Sequence, residues 1–156
     1  AKKLDALRPW LSEAAFMQQR VVVEIQWLLA LSQAKLPNIP KIEKSDEAFL
    51  LKLANDFSEK DAQRIKEIEA VTNHDVKAVE YWLKEKVAKR PKLLQASEFI
   101  HFACTSEDIN NTSHGLMLRG ARDHVLLPQL QTIVAKDLRM TPSRDKGLGR
   151  DFHFES

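Results

Sequence analysis

A mostly polar cluster of seven residues is the part of the sequence best suited to bind a small anion. It runs Thr105-Ser106-Glu107-Asp108-Ile109-Asn110-Asn111, and a long stretch with helical spacing of apolar residues follows it. The first turn of a helix carries backbone N–H groups without intrahelical partners and the positive end of the helix dipole, which favour a phosphate or a carboxylate. A simpler interpretation stays open: Thr105 or Ser106 only caps the helix, and the acidic residues after them offset its dipole.

Two histidines could take part in the same chemistry. His74 and His101 could each donate a hydrogen bond to an anionic ligand or transfer a proton near neutral pH. The alternative is structural, because Thr72-Asn73-His74-Asp75 offers cap-forming side chains at the start of a predicted helix, and a single histidine is often a cap or a satisfied core residue.

The remaining histidines and the cysteine have weaker functional interpretations. His114 lies one turn after Asn110, so it either lines the same cavity or pairs with a neighbour, whereas His124 and His153 are expected at the surface. Cys104 is the only cysteine and has no base next to it, so we interpret it as a small buried residue. No Cys or His grouping suggests a metal site.

The elements that position these residues are predicted to be helices. Between Pro9 and Pro142 there is no Asn-Gly or Asp-Gly hairpin signal and no sustained alternation of apolar and polar residues, while helical spacing recurs. We therefore predict an all-α fold. The predicted helices run from the N-cap Ser12 to about Ala34, over Asp46 to Asn55 with Ser45 as cap, from Glu59 to about Val71 behind a Ser58/Asp61 capping box, from His74 or Asp75 to a stop at Arg90-Pro91, and around Glu98 to Ala103.

A helix of more than thirty residues is predicted after the polar cluster. Its apolar stripe consists of Ile109, Leu116, Met117, Val125, Leu126, Leu130, Ile133, Val134 and Leu138. Pro128 is expected to bend it, and Gly115 and Gly120 are expected to weaken it where they are exposed. One compact domain of this size rarely needs so long a helix, so we expect it to belong to a larger bundle.

Composition excludes several classes of partner. The 156 residues are about the length of one domain, and 44% hydrophobic and 29% charged residues are ordinary for a globular protein. A net charge of +2 gives no electrostatic case for nucleic acid or a membrane surface, and no apolar run approaches the roughly 20 residues of a membrane span. A single cysteine fits a reducing cytoplasm.

Two uninterrupted strings carry a specific resemblance. Residues 72–87, TNHDVKAVEYWLKEKV, and residues 97–111, SEFIHFACTSEDINN, closely resemble the bacterial adenylosuccinate lyases of the fumarase/aspartase superfamily, with weaker agreement from about Leu7 to about Leu138. The resemblance implies a helical N-terminal domain over 1–104 and the first long helix of a central bundle over 105–139. Residues 140–156 do not resemble the family and are expected to form an atypical tail.

The family resemblance also implies a reaction. These lyases release fumarate from adenylosuccinate by β-elimination, giving AMP, and from the succinyl-carboxamide ribotide of purine synthesis, as homotetramers without a cofactor. The residues that the resemblance assigns to the substrate are His74 and Asp75 in the nucleotide pocket, His101 near the phosphate, and Thr105 and Ser106 at the succinyl or fumarate portion, with Asn73 and Asn111 as further candidates. The sequence leaves open which histidine contacts the phosphate.

The acid and the base of the family reaction have no counterpart in this sequence. The family's general acid is a histidine in a Thr-His-Gly-Gln segment and its base is a serine in a later loop; neither segment occurs here. We therefore expect no catalytic residue in this chain and no turnover by it alone. The alternative function is a non-catalytic helical module that pairs through the long helix. Mutation of Thr105 and His101 separates the two hypotheses.

Overall fold

The computed structural model describes residues 2–140, so the predicted tail over 140–156, with His153, lies outside the described residues apart from Met140, which is helical and ends the last described helix. The α-helices are α1 (Arg8–Leu11), α2 (Glu13–Gln33), α3 (Lys44–Asn55), α4 (Glu59–Thr72), α5 (Asp75–Val87), α6 (Pro91–Ala96), α7 (Ser106–Ala121) and α8 (Leu127–Met140). Lys2–Leu7 and Ser97–Phe99 are 3-10 helices, and Arg122–Leu126 is a π-helical turn. No strand occurs within residues 2–140, and the predicted all-α fold is confirmed.

Helix α2 is the central element of the fold. It begins as predicted at Ser12, whose Oγ accepts the backbone N–H of Ala15 at 3.1 Å. Its later half is apolar on most sides, and side chains such as Val21 and Ile25 are fully buried. Helices α3, α4 and α5 pack around α2, and α7 packs along it. The start of α7 is therefore held against the centre of the domain.

Helices α4 and α5 form an antiparallel pair that anchors the start of α5. The Ser58/Asp61 capping box begins α4 as predicted. The predicted apolar positions of α5 are all buried: Val76, Val79, Trp82, Leu83 and Val87. Trp82 is fully buried and meets the edge of Phe57 at a ring-centroid distance of 5.5 Å. This packing fixes the N-terminal residues of α5 in place.

The predicted cap of α3 is wrong. The helix begins at Lys44 with Glu43 as its N-cap residue, and Ser45 lies inside the first turn. The reason is a contact between distant segments: Asp46 is buried and its Oδ1 accepts a hydrogen bond from Arg90 Nη1 at 2.7 Å. Local spacing cannot show that ion pair.

The predicted helix over Glu98 to Ala103 is confirmed only for its first two residues, which lie in the 3-10 helix Ser97–Phe99, and is wrong for the rest. The helical segment lies earlier, in α6, which begins at Pro91 as prolines at first helical positions do. After the 3-10 turn, His101 and Ala103 have φ values of 63° and 59°, which a right-handed helix excludes. Trp27 Nε1 donates to the carbonyl of Phe102 at 2.8 Å and holds this turn against α2.

The long helix is confirmed as three consecutive helical segments from Ser106 to Met140. The π-helical turn ends at Leu126, two residues before Pro128, whose ring lacks an N–H and would crowd the carbonyl four residues earlier. Gly120 has a packing role that the sequence did not reveal, because the Trp10 ring occupies the space that a Cβ there would need. Gly115 faces open space.

The apolar stripe of the long helix divides into a covered half and an exposed half. Ile109, Met117 and Val125 are buried. In the second half, Leu126 at the end of the π-helical turn and Leu130, Ile133 and Val134 of α8 are exposed. Together with the adjacent Leu127 they form what we call the α8 face, in which each side chain is between 43% and 56% exposed. None of the helices within residues 2–140 is long and apolar enough to cross a membrane. The domain boundary predicted between residues 104 and 105 stays a prediction.

Candidate functional site

Three residues of α2 connect the segments that carry the predicted site. Phe16, Arg20 and Glu24 follow one another at intervals of four and therefore share one face of the helix. Arg20 is 5% exposed and Glu24 is not exposed at all, so each charge requires a partner. Sequence reasoning missed both residues as site residues. The available signal was a charged residue, Glu24, inside the apolar run of a core helix.

Arg20 joins three helices through one buried guanidinium. Its Nη2 forms an ion pair with Asp75 Oδ2 at the start of α5, and its Nε donates to Asn110 Oδ1 on α7 at 2.9 Å. The guanidinium also lies over the Phe16 ring, 3.8 Å from the centroid. The fork of guanidinium donors is suited to such a junction, which fixes the start of α5 relative to α7.

His74 is the N-cap residue of α5, as the sequence predicted. Its Nδ1 accepts the backbone N–H of Lys77 at 3.2 Å. Since Nδ1 acts as the acceptor, the proton of the neutral ring resides on Nε2. The His74 side chain is 52% exposed, so Nε2–H belongs to a ring that a ligand can reach.

Asp75 is held as a carboxylate beside His74. Partial burial raises its pKa, but the hydrogen bond from the Val76 N–H at 2.8 Å and the charge of Arg20 outweigh that effect and leave the pKa below its ordinary value. His74 Nδ1 lies 3.7 Å from Asp75 Oδ1. The Asp75 carboxylate is therefore paired with Arg20.

His101 is bound to Glu24 through both its backbone and its ring. Its backbone N–H donates to Glu24 Oε2 at 3.0 Å, and its Nδ1 lies 2.7 Å from Glu24 Oε1. Burial raises the pKa of Glu24, and the contacts with His101 oppose that rise without cancelling it. Like His74, His101 uses Nδ1 inside the fold and keeps Nε2 out of that contact. Two histidine clusters result: His74 with Asp75 and Arg20, and His101 with Glu24. Because Arg20 and Glu24 are one turn apart, the two histidine clusters are anchored about 6 Å apart along α2.

The start of α7 is closed by a capping box. Thr105 Oγ1 donates to Asp108 Oδ2 at 3.0 Å, its backbone N–H donates to the same oxygen at 2.7 Å, and its side chain accepts the backbone N–H of Asp108. These Thr105 N–H and O–H bonds hold the pKa of the Asp108 carboxyl below its usual value. The capping interpretation of Thr105 is thus confirmed, and its hydroxyl is already engaged. Ser106 is the first residue of α7 and is half-buried.

The other two described histidines stack on aromatic rings. His114 lies on Phe16 with ring centroids 4.3 Å apart, next to the Arg20 guanidinium, so it pairs with a neighbour. His124 stacks on Trp10 at 4.8 Å, at the level of the π-helical turn. His124 is exposed, as predicted for a surface residue.

The remaining candidates lie at the edges of this arrangement. Asn73 is the left-handed residue that ends α4, with φ 52°, and Asn111 is exposed on α7. Cys104 is half-buried, and burial raises the pKa of its thiol. Within residues 2–140, no three His, Cys, Asp or Glu side chains are grouped so that they could hold a metal ion.

A groove of about 540 Å³ lies between α2 and the start of α7. Its lining is mostly apolar and includes Val22, Trp27, Ile109 and Leu116. A phosphate or dicarboxylate needs N–H donors, which these side chains largely lack. We therefore place the candidate site at the histidine clusters and not in this groove.

Comparison with known proteins identifies the family. Residues 1–137 match the family described as lyase. The protein named adenylosuccinate lyase in Vibrio cholerae is 54% identical over 133 residues, which are 85% of this chain and 29% of the relative. The protein of the same name in Haemophilus influenzae is 52% identical over 139 residues, which are 88% of this chain and 30% of the relative. One from Buchnera aphidicola is 46% identical over 130 residues, covering 83% and 28%. The chain thus spans less than a third of the length of these relatives. The chain belongs to the lyase family, and the relatives it matches are bacterial adenylosuccinate lyases.

Proposed function

We propose that this chain supplies substrate-binding groups of an adenylosuccinate lyase. The reaction breaks the C–N bond of adenylosuccinate by β-elimination, without a cofactor, and yields fumarate and AMP; the succinyl-carboxamide ribotide of purine biosynthesis is the second substrate. Both substrates carry a phosphate and a succinyl dicarboxylate, so their site must present N–H donors. The names of the relatives and the resemblance of residues 72–87 and 97–111 support this assignment.

The observation that carries the proposal is the shared arrangement of His74 and His101. Each ring is held by a contact at Nδ1, and each leaves Nε2 outside that contact. The neutral His74 ring carries its proton on Nε2, whereas a His101 ring whose Nδ1–H faces Glu24 carries a second proton on Nε2 when it is charged. Phosphate and carboxylate oxygens accept either Nε2–H well. Rings held before the ligand arrives lose less freedom on binding, which favours affinity.

The proposed roles follow the family resemblance. His101 faces the phosphate, His74 and Asp75 belong to the nucleotide pocket, and Thr105 with Ser106 binds the succinyl or fumarate portion. Since the Thr105 hydroxyl is engaged in the capping box, we propose that this region binds through helix-start N–H groups and Ser106. Asn73 and Asn111 are further candidates at the rim.

The proposed chemistry needs two groups beyond these binding residues. Elimination requires a base for the proton beside a carboxylate and an acid for the departing nitrogen. We propose that both come from other segments of the full-length lyase, assembled as a homotetramer in the cytoplasm. The chain by itself would then bind without turning over.

AMP titration of the chain tests the proposal. His101→Ala and His74→Ala should each weaken AMP binding about 10- to 100-fold, because a hydrogen bond to a charged group contributes about 1.5–3 kcal/mol. His124→Ala is the matched control, since it removes an exposed histidine that stacks on Trp10. Equal affinity of the wild type and both site variants would contradict the proposal, as would an equal loss in the control.

The α8 face favours a second candidate function, a helical interaction module. Its five apolar side chains are about half exposed on one helix, a pattern typical of a surface that another helix covers. Leu130→Lys with Ile133→Lys should abolish self-association in sedimentation equilibrium, whereas His101→Ala should leave it unchanged. A monomeric wild-type chain at high concentration would argue against self-pairing.

A further inference from the structure

Glu24 stands out among the carboxylates that the structure describes because it is fully buried inside an apolar helix. Its neighbours Val21, Ile25 and Leu28 are at most 2% exposed, and Glu24 itself is not exposed. A buried carboxylate without partners is strongly unfavourable, so it persists only where hydrogen bonds satisfy its oxygens. Both oxygens of Glu24 meet one residue, His101.

The backbone of His101 is adapted to this contact. Its φ of 63° lies in the left-handed region, which disfavours residues with a side chain. In this conformation the N–H and the ring of the same residue reach one carboxylate, at 3.0 Å and 2.7 Å. The two charge-assisted contacts offset the local backbone strain. The orientation of the ring is therefore determined by Glu24.

We propose that Glu24 is the positioning residue of His101, fixing its ring and placing a proton on Nδ1 so that Nε2 faces the anionic part of the substrate. This inference rests on the proposed function above. With Glu24 as the acceptor, a charged His101 ring has one N–H bound inside the fold and a second at Nε2 for an anion. Glu24 acts through His101 and does not contact the ligand.

Other charged groups near the pair have partners of their own. Asp108 on α7 lies near His101 and is bound by Thr105. Glu80 on α5 lies near Glu24, and its oxygens pair with Lys77 at 2.7 Å and Lys84 at 3.2 Å. The Cys104 thiol also lies within electrostatic reach of Glu24.

Nitrogen NMR of the His101 ring tests the positioning directly, without any ligand. Above the titration range of histidine, the wild type should carry its proton on Nδ1. Glu24→Gln should transfer it to Nε2, because the glutamine amide can donate to Nδ1. Glu80→Gln is the matched control: it removes another buried carboxylate and should leave the tautomer unchanged. A wild-type ring protonated on Nε2 would overturn the inference even if Glu24→Gln failed to fold, and so would identical tautomers in wild type and Glu24→Gln.

AMP titration of the same proteins tests the consequence for binding. Glu24→Gln should weaken AMP binding about tenfold, because a neutral amide stabilises the charged His101 ring less than the carboxylate does. Adding it to His101→Ala should cause no further loss, because the two residues act in series. Glu80→Gln should bind like the wild type. Independent, additive losses would overturn the inference. A wild-type chain that shows the Glu24-dependent tautomer but does not bind AMP would overturn the proposed function and leave the positioning of the ring supported.

Discussion

Replacement of Arg20 by methionine should destabilise the fold by about 2–3 kcal/mol. Methionine keeps most of the apolar stem of the side chain but removes every N–H donor of the guanidinium. Arg20 is 5% exposed, so water has little access to the position of the guanidinium and cannot replace the hydrogen bonds that are lost there. The variant therefore measures what the junction between α2, α5 and α7 contributes.

The magnitude follows from the three contacts of the guanidinium. The hydrogen bond to Asn110 at 2.9 Å contributes about 1 kcal/mol. The ion pair with Asp75 contributes about 1 kcal/mol and not the 3–5 of a fully buried pair, because the Asp75 side chain is 45% exposed and stays hydrated when unpaired. The contact with Phe16 at 3.8 Å adds about 0.5–1 kcal/mol. The sum corresponds to a decrease in Tm of about 4–12 °C.

Urea unfolding followed by far-UV circular dichroism measures the effect. Lys52→Met is the matched control, because Lys52 and Asp56 form an ion pair whose side chains are 73% and 60% exposed, and its loss should change the free energy of unfolding by at most about 0.5 kcal/mol. A double-mutant cycle of Arg20→Met with Asp75→Asn should give a coupling of about 1 kcal/mol. An Arg20 variant as stable as the Lys52 variant would refute the reasoning.

Three further predictions address pH, packing and turnover. Partial burial raises the pKa of Asp61, but its hydrogen bonds with Lys86 and Ser58 outweigh that and leave the pKa below its usual value. Asp61→Asn should therefore lower the free energy of unfolding by about 1 kcal/mol at neutral pH, and urea titrations in acid should show this effect disappear as pH falls through the folded-state pKa. Gly120→Ala should lower the free energy of unfolding by about 1–3 kcal/mol, because the added methyl group meets the Trp10 ring. Gly115 faces open space, so Gly115→Ala should raise the free energy of unfolding by up to about 1 kcal/mol; equal effects of the two variants in thermal unfolding would contradict this packing. Adenylosuccinate added to the chain should give no steady fumarate release in an absorbance assay, and clear turnover would show that residues of this chain supply the acid and the base.

Helix starts set by residues three positions apart were predictable from the sequence. The Ser12 cap, the Ser58/Asp61 box and the role of His74 at the start of α5 were confirmed, because each depends on a side chain and a backbone group within one turn. The start of α3 was mispredicted because a contact with Arg90, 44 residues away, decides where Asp46 lies. Local propensity is weak against such contacts.

Hydrophobic periodicity identified the long helix but not what covers it. A stripe of apolar residues indicates which face of a helix avoids water, and it carries no information about the partner. The structure shows that α2 packs along the first half, while the α8 face stays exposed. Gly120 illustrates the same limit, since only the position of the Trp10 ring explains why a side chain does not fit there.

The amino-acid sequence alone was sufficient to determine the all-α class, the family resemblance and the candidates His74 and His101, because these depend on local patterns and on residue identity. Only the tertiary structure decided how the candidates are held. Arg20 meets Asp75 and Asn110 across 55 and 90 residues, and Glu24 meets His101 across 77. Burial inside α2 makes these partnerships necessary, because a charge removed from water must find its hydrogen bonds within the fold, wherever along the chain they are available.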